Sequence, residues 1–467
     1  MSLTGVDRWQ RLTGVWRRAR RSSARVQDDE RVQDDERVHD RERVRDRENR
    51  SLWRQADFRR LWIAETVSQV GTQLTTLALP VIAVDSLHAG ETQMGILAAC
   101  EMAAFLIVGL PAGAWVDRWR KRRVLVANDL LRAAVLGSVP LAWALDLLTL
   151  NQLFVVAAIA GVGTVFFDVA YQSYLPHLVE GDQLVAGNAR LQASESVAQV
   201  GGPAIGAALL RVVAAPALIG LDALSFLGSA AALSGIRHRE IPPARRHRRP
   251  LRVEIAEGLR FVAGHPLLRR ITACTSISNL FASMAMALFV LLLLRDLHLR
   301  PSTVGLVFSV SAAGGLVGAL LAAPAARWVG EGRVIPLSSL AIALGSAGTP
   351  LAAVLAPGVP PLPILLAGGF VANAMIVIYN ITQVSFRQRL CPPALLGRMN
   401  ASVRFIVWGT MPIGGLLGGL LGSAIGIVPT LWITVGGVLL AAMPVVWSPL
   451  MSMRHLPREL EATAPGR

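Results

Sequence analysis

The chain is 467 residues long, 53% hydrophobic and only 16% charged, yet its formal net charge is +15. Soluble domains carry roughly 25% charged residues, so this composition excludes a soluble enzyme of such size and requires the basic excess to be segregated. Spread over a folded surface, that excess would mark nucleic-acid binding; confined to loops on one side, it marks membrane insertion. The mean hydropathy of +0.49 and the pI of about 11.3 sharpen the same conflict.

Taken in order, residues 1–56 read as a charged, disordered cytoplasmic tail. It holds four hexads, Arg25–Glu30, Arg31–Glu36, Arg37–Glu42 and Arg43–Glu48, each opening Arg-Val and closing on Glu. They contain too few apolar residues to bury a core. No apolar stretch follows the first basic cluster closely enough for a cleavable signal peptide.

Twelve apolar segments follow, each near the roughly 20 residues needed to cross a bilayer. They run 60–84, 93–116, 124–146, 152–176, 187–211, 215–236, 267–294, 303–327, 334–356, 362–386, 399–424 and 428–448. Open strands are excluded, because lipid leaves unpaired backbone groups without partners. With both termini cytoplasmic, 42 of the 46 Lys and Arg fall on the cytoplasmic face, Arg211, Arg295 and Arg300 fall opposite, and Arg132 lies inside a span. Without the first 17 the ratio is still 25 to 3, as the positive-inside rule requires.

A linker, 237–264, divides these spans into halves of six, 57–236 and 265–450, and a polar tail covers 451–467. A shift of 209 residues superposes Arg60 on Arg269, Arg118-Trp119 on Arg327-Trp328, and Pro203 on Pro412. A common offset suggests duplicated halves, as in many secondary transporters. Within the linker, Leu251, Ile255, Leu259 and Val262 recur at helical spacing beside charged neighbours. They predict an amphipathic helix, either lying on the membrane surface or solvated.

Charges at bilayer depth cost roughly 2.5–3.5 kcal/mol each on insertion scales and are functional candidates by default. Glu101 falls nearest the midplane, either as a proton carrier or as a structural hydrogen-bonding group. Glu65, Asp168, Glu195 and Asp222 are the other candidates for proton coupling. Asp129 and Arg132 stand three apart on one helix and are expected to pair as a structural or gating unit. Asn279, Asn373, Asn380 and Gln383 are candidates for lining a substrate cavity, or for packing between helices. Cys100, Cys274 and Cys391 are too few and too dispersed for a disulfide framework or a metal site. The single Lys121 rules out a phosphate-binding Gly-Lys-Ser/Thr loop, so no ATP-driven step and no cofactor is expected.

Between spans 2 and 3 stand Gly113, Asp117, Arg118, Lys121 and Arg122. This pattern resembles the signature loop of the major facilitator superfamily, position by position. Gly202, Pro203 and Gly206 in span 5 resemble the motif of that superfamily's proton-coupled exporters, although close packing alone also explains them. Phe58-Arg-Arg-Leu-Trp62, Asn128-Asp-Leu-Leu-Arg132, Tyr171-Gln-Ser-Tyr-Leu-Pro176 and Gly397-Arg-Met-Asn400 resemble the twelve-span branch related to enterobactin and macrolide efflux proteins. The resemblance implies an all-α membrane protein of twelve transmembrane helices in two pseudo-symmetric halves. It further implies a gating role for the span 2–3 loop and alternating access. The expected activity is proton-driven antiport that exports an amphiphilic drug or siderophore across the cell membrane. The expected partners are the bilayer, protons and a small molecule, without nucleic acid, and the protein is expected to be a monomer. An importer or uniporter of the same fold, or a non-transporting receptor or scaffold, is the alternative; an intramembrane enzyme lacks convergent ligands, since His177, His265 and His298 lie at span ends.

Overall fold

A computed structural model describes residues 52–116, 118–179, 184–238, 240, 251–391 and 396–453. The hexads, the linker prolines, most of both tails and Asp117 lie outside them. The described residues are helical almost throughout. The first half comprises α1 (Ala56–Val81), α2 (Glu91–Ile107), α3 (Gly109–Val116), α4 (Lys121–Ala144), α5 (Leu150–Leu178), α6 (Leu184–Leu209) and α7 (Ala215–Ser234). The linker forms α8 (Leu251–Gly264). The second half comprises α9 (Pro266–Leu291), α10 (Pro301–Val329), α11 (Glu331–Ser346), α12 (Gly348–Leu355), α13 (Pro361–Leu390), α14 (Leu396–Ile425) and α15 (Ile427–Val446).

Two expected spans are each two helices. The breaks follow Ile107 and Ser346, four residues before Pro111 and Pro350. A proline has no N–H to donate to the carbonyl four residues back, so the ladder is interrupted there. Proline at the first turn has the opposite effect, because its fixed φ suits an N-terminus whose N–H groups are unpaired anyway. Pro216, Pro266, Pro301 and Pro361 open helices in this way. Ten helical passes are long and apolar enough to cross a membrane. The broken α2–α3 segment and α6, which carry Glu101, Arg190 and Glu195, are not among those ten.

The two halves repeat each other. In the first, α1 packs on α6 and α7, α4 on α5 and α7, and α2 on α5. In the second, α9 packs on α14 and α15, α11 on α13 and α15, and α10 on α13. The repeat extends to irregular backbone. Each first helix ends in a π turn, Ile82–Ser86 and Leu292–Asp296, followed by a left-handed residue, His88 (φ 52°) and His298 (φ 50°). The closing bonds match as well: Ala89 N–H donates to Ala83 O, and Leu299 N–H to Leu293 O. These features are offset by 210 residues, so the 209-residue register read from the loops shifts by one within each half.

The halves meet along two seams, α2 against α14 and α6 against α10. Glycines set the first. A Cβ on Gly95 would stand 2.7 Å from Gly415 O, and one on Gly419 would stand 2.7 Å from Glu91 O. In the second seam a Cβ on Gly305 would meet Ala207 at 2.5 Å. Apolar residues from both halves, including Leu74, Leu97, Leu288, Leu291 and Leu431, form one buried cluster beside these seams. Glu91 and Arg295 add an ion pair across the halves. All these contacts lie toward the end opposite the basic loops, so the bundle is shut there. The linker helix α8 packs against the bundle: its Val262 is buried with Met399, Val403 and Val407 at the start of α14.

Candidate functional site

The buried charge is organised around Arg132 of α4. Its Nη2 donates to Asp129 Oδ1 at 2.6 Å, and Ser229 Oγ of α7 donates to Asp129 Oδ2 at 2.6 Å. The guanidinium lies between the rings of Phe167 (4.5 Å) and Phe226 (4.0 Å). Asp129 is fully buried and Arg132 nearly so. Burial of both ions is tolerable only because the pair is direct and further hydrogen-bonded. The i, i+3 spacing on one helix therefore pairs them as expected, and packing from two other helices completes the site.

Arg132 also acts electrostatically on Glu65 of α1, Asp168 of α5 and Asp222 of α7. Asp168 feels Glu195 of α6 and, from the other half, Arg404 of α14. Glu65, Asp168 and Glu195 all act on the Tyr171 hydroxyl. Glu65 Oε1 accepts from Gln69 at 2.8 Å, while its Oε2 and the Tyr171 hydroxyl, both buried, have no partner among the described residues. The fold thus gathers Glu65, Asp168, Glu195 and Tyr171 from three helices, and the charge of Arg404, from the other half, acts on Asp168.

The remaining acids divide. Asp222 accepts from Thr75 Oγ1 (2.5 Å) and Ser225 Oγ (3.0 Å), tying α7 to α1. Glu101 stands apart, half-buried at mid-helix on α2, with no charged partner acting on it among the described residues. Its carbonyl oxygen lies against Gly161 of α5, where a Cβ would stand at 2.7 Å.

In the loop between spans 2 and 3, Gly113 lies within α3, and Arg118 and Lys121 flank the turn. Glu240, beyond span 6, accepts from the backbone N–H of Lys121 (2.7 Å) and Arg122 (2.6 Å), and the Arg122 guanidinium donates to Ile236 O. Asp57 does the same for the N–H groups of Arg237 and His238. Neither acid stood out in the sequence, because a cap from a distant loop leaves no local pattern. In span 5, a Cβ on Gly202 would meet Gln73 at 2.3 Å and one on Gly206 would meet Leu77 at 2.9 Å. Gly202 and Gly206 thus let α6 approach α1, with Pro203 buried between them.

The second-half amides are dispersed. Asn279 Nδ2 donates to Val407 O at 3.4 Å, Gln383 is buried, Asn373 is half-buried beside Gly315, and Asn380 is exposed. Two cations counted with the loops lie instead on helices. Arg387 is 8% exposed on α13, and Arg404 stacks on Trp408 at 4.0 Å. Reading them as sidedness labels was a consequence of their closeness to span ends; helix continuity carries both inward.

The chain was compared with known proteins. It is 29% identical over 413 residues to the multidrug efflux pump Tap of Mycobacterium bovis, covering 85% of this chain and 93% of that one. It is 22% identical over 407 residues to macrolide efflux protein A of Streptococcus pyogenes, covering 85% and 97%. Among solved structures, the fold matches a bacterial homologue of the iron transporter ferroportin in its inward-facing state (TM-score 0.66, 16% identity, 83% and 97% covered). It also matches the nucleoside transporter NupG (TM-score 0.68, 12% identity, 83% and 98% covered). Residues 50–464 match the family described as transmembrane secretion effector, so with this fold the chain belongs to that family of major facilitator transporters.

Proposed function

We propose that this protein is a proton-coupled antiporter that exports amphiphilic small molecules from the cytoplasm by alternating access. The two halves, 57–236 and 265–450, rock about the α2–α14 and α6–α10 seams, with both termini, the linker and the basic loops on the cytoplasmic side. Efflux by the Tap and macrolide relatives supports the direction and the breadth of substrate. What supports the coupling is the cluster of Glu65, Asp168 and Glu195 in the first half, with the charge of Arg404 in the second half acting on Asp168. A proton on Asp168, or on Glu65 or Glu195 beside it, removes a negative charge that attracts Arg404, so protonation weakens the hold of one half on the other. Glu101, on the α2 seam, is the second acid whose neutralisation alters the interface. Asn279, Asn373, Asn380 and Gln383 are assigned to the second-half side of the substrate path.

In this scheme the bundle shut at the outer end is the inward-open form. The Glu91–Arg295 pair and the Gly95–Gly419 seam form its outer gate, and the loop from Gly113 through Asp117, Arg118, Lys121 and Arg122 forms the inner one. The test is transport by the full chain in inverted vesicles under an imposed pH gradient, with a macrolide, a catecholate siderophore and a cationic dye as probes. Uptake of one class that collapses with the gradient is expected. Asp168→Asn is expected to abolish gradient-driven uptake while leaving insertion intact, and Glu101→Gln to do the same if the seam acid carries the proton. Uptake unaffected by the gradient, or by both substitutions, overturns the coupling; flux only in the opposite direction assigns an importer.

A further inference from the structure

A second site lies away from the buried charge, at the basic end of the first half. Arg118, Trp119 and Arg120 of the loop, and Arg123, Val124, Ala127, Asn128 and Leu131 of α4, line a cavity of about 720 Å3 with Val162 and Phe166 of α5. The α4 residues fall at helical spacing along one stripe, so the cavity extends from the loop down the side of the helix. From Arg120 to Leu131 is about 16 Å at the 1.5 Å rise of a helix. The mouth and the floor differ in chemistry. At the mouth stand three guanidinium groups, and no acid among the described residues lines the cavity. Arg118, Arg120 and Arg123 are solvent- or lipid-exposed and make no ion pair with the described residues. Arg122 is turned away to Ile236 O, and Glu240 is engaged by the helix N-terminus. The floor is apolar and aromatic: Trp119 stacks on Phe166 at 6.0 Å, and Leu131 is 39% exposed.

The geometry points to a binding site for an anionic glycerophospholipid. Its phosphate meets Arg118, Arg120 and Arg123, and one acyl chain lies in the groove formed by Trp119, Leu131, Val162 and Phe166. A free anion would be satisfied by the mouth alone and leaves the apolar floor unexplained. A zwitterionic lipid fits the groove but brings its own cation to a mouth that already holds three. The internal repeat supplies a control. The corresponding loop of the second half keeps Arg327 and Trp328; counted from the helix starts at Lys121 and Glu331, it has Gly330 where Arg120 stands and Arg333 where Arg123 stands, and Arg333 Nε donates to Met451 O at 3.1 Å. There Trp328 is 84% exposed. The second half thus lacks the counterpart of Arg120 and turns that of Arg123 to a backbone carbonyl, so a mouth of three guanidinium groups belongs to the first half and is not required by the shared fold. Because the loop joins the helices on either side of the inner gate, a lipid held here links gate position to membrane charge.

The test uses the full chain in phosphatidylcholine vesicles with acyl-brominated phosphatidylglycerol added stepwise. The Trp119 signal is taken as the fluorescence difference from Trp119→Phe. Quenching of that component is expected at about a tenfold lower lipid fraction than with brominated phosphatidylcholine. R120Q/R123Q, which spares the gating residues, is expected to remove the preference, and R120K/R123K to retain it. Equal quenching by the two lipids overturns the proposal, as does a preference that survives R120Q/R123Q. Loss of the preference in R120K/R123K as well would assign the arginines a structural role and overturns it too. Relief of quenching by glycerol 3-phosphate would assign the mouth to a soluble anion and overturns the lipid.

Discussion

The two halves share a packing scheme and differ in chemistry. Both place their first helix against the fifth and sixth passes and end it in the same π turn. Yet the spans of the first half hold Glu65, Glu101, Asp129, Asp168, Glu195 and Asp222, whereas between 265 and 450 the only carboxylates are Asp296 and Glu331, both at helix ends. Where the first half buries an ion pair, the second buries neutral contacts: Thr275 with Tyr379 (2.8 Å) and Cys274 with Ser339 (3.4 Å). Its helices also approach through glycine. Cβ atoms on Gly314 and Gly318 would stand 2.2 and 2.3 Å from the carbonyls of Phe370 and Ala374. The repeat therefore preserves what packing needs, apolar stripes and small residues, and leaves titratable groups free to concentrate on one side. Under the proposed coupling, acids are needed in one half only, with Arg404 of the other half as the charge that acts on Asp168.

The sharpest way to break this comparison is to remove one partner of each buried pair. Asp129→Ala strands Arg132 between Phe167 and Phe226, and stranded buried charges typically cost about 3–5 kcal/mol. A large loss of thermal stability in detergent is expected. An intermediate loss is expected from Gly418→Val, whose Cβ would stand 2.6 Å from Met284 O on α9. Overpacking of this kind costs about 1–3 kcal/mol. Thr275→Val in the second half removes a neutral hydrogen bond, with an expected cost of about 1 kcal/mol. If Thr275→Val proves as damaging as Asp129→Ala, the contrast between ionic and neutral halves fails.

The smallest effect concerns the pair that joins the halves. The Arg295 guanidinium beside Glu91 holds that carboxyl below the usual glutamate range. A depressed carboxylate contributes its stabilisation above the unfolded value of 4.5 and loses it only as pH falls through the lower folded value. Outer-face closure, followed by a spectroscopic distance between labels on α2 and α9, is therefore expected to persist down to about pH 5 and to loosen only in stronger acid. Arg295 is about half exposed, and such pairs contribute at most about 1 kcal/mol. Arg295→Gln is thus expected to shift the closed population modestly and to abolish its acid dependence.

Much of the fold was legible because a bilayer imposes a length on every crossing. Ten of the twelve apolar runs correspond to helical passes long and apolar enough to cross a membrane, and the breaks in two runs stay hidden until Pro111 and Pro350 are read as missing donors. The Asp129–Arg132 pair was legible because both ends sit on one helix face. Arg404 and Glu240 were not, because Asp168 and the N–H groups of Lys121 and Arg122 lie on other elements remote in the chain and nothing in local spacing marks them. Gly202, Pro203 and Gly206 were legible as a motif, but only the approach to Gln73 and Leu77 assigns them to helix packing.

By itself the sequence determined an all-helical membrane protein of repeated halves with its basic residues gathered toward one side. Hydropathy and charge placement are local quantities, and the solvent acts on them segment by segment. Only the tertiary structure decided which buried charges meet, which end of the bundle is shut, and which arginines serve the interior. Those depend on contacts between helices remote in the chain, where a low dielectric and the lack of water make a single partner decisive.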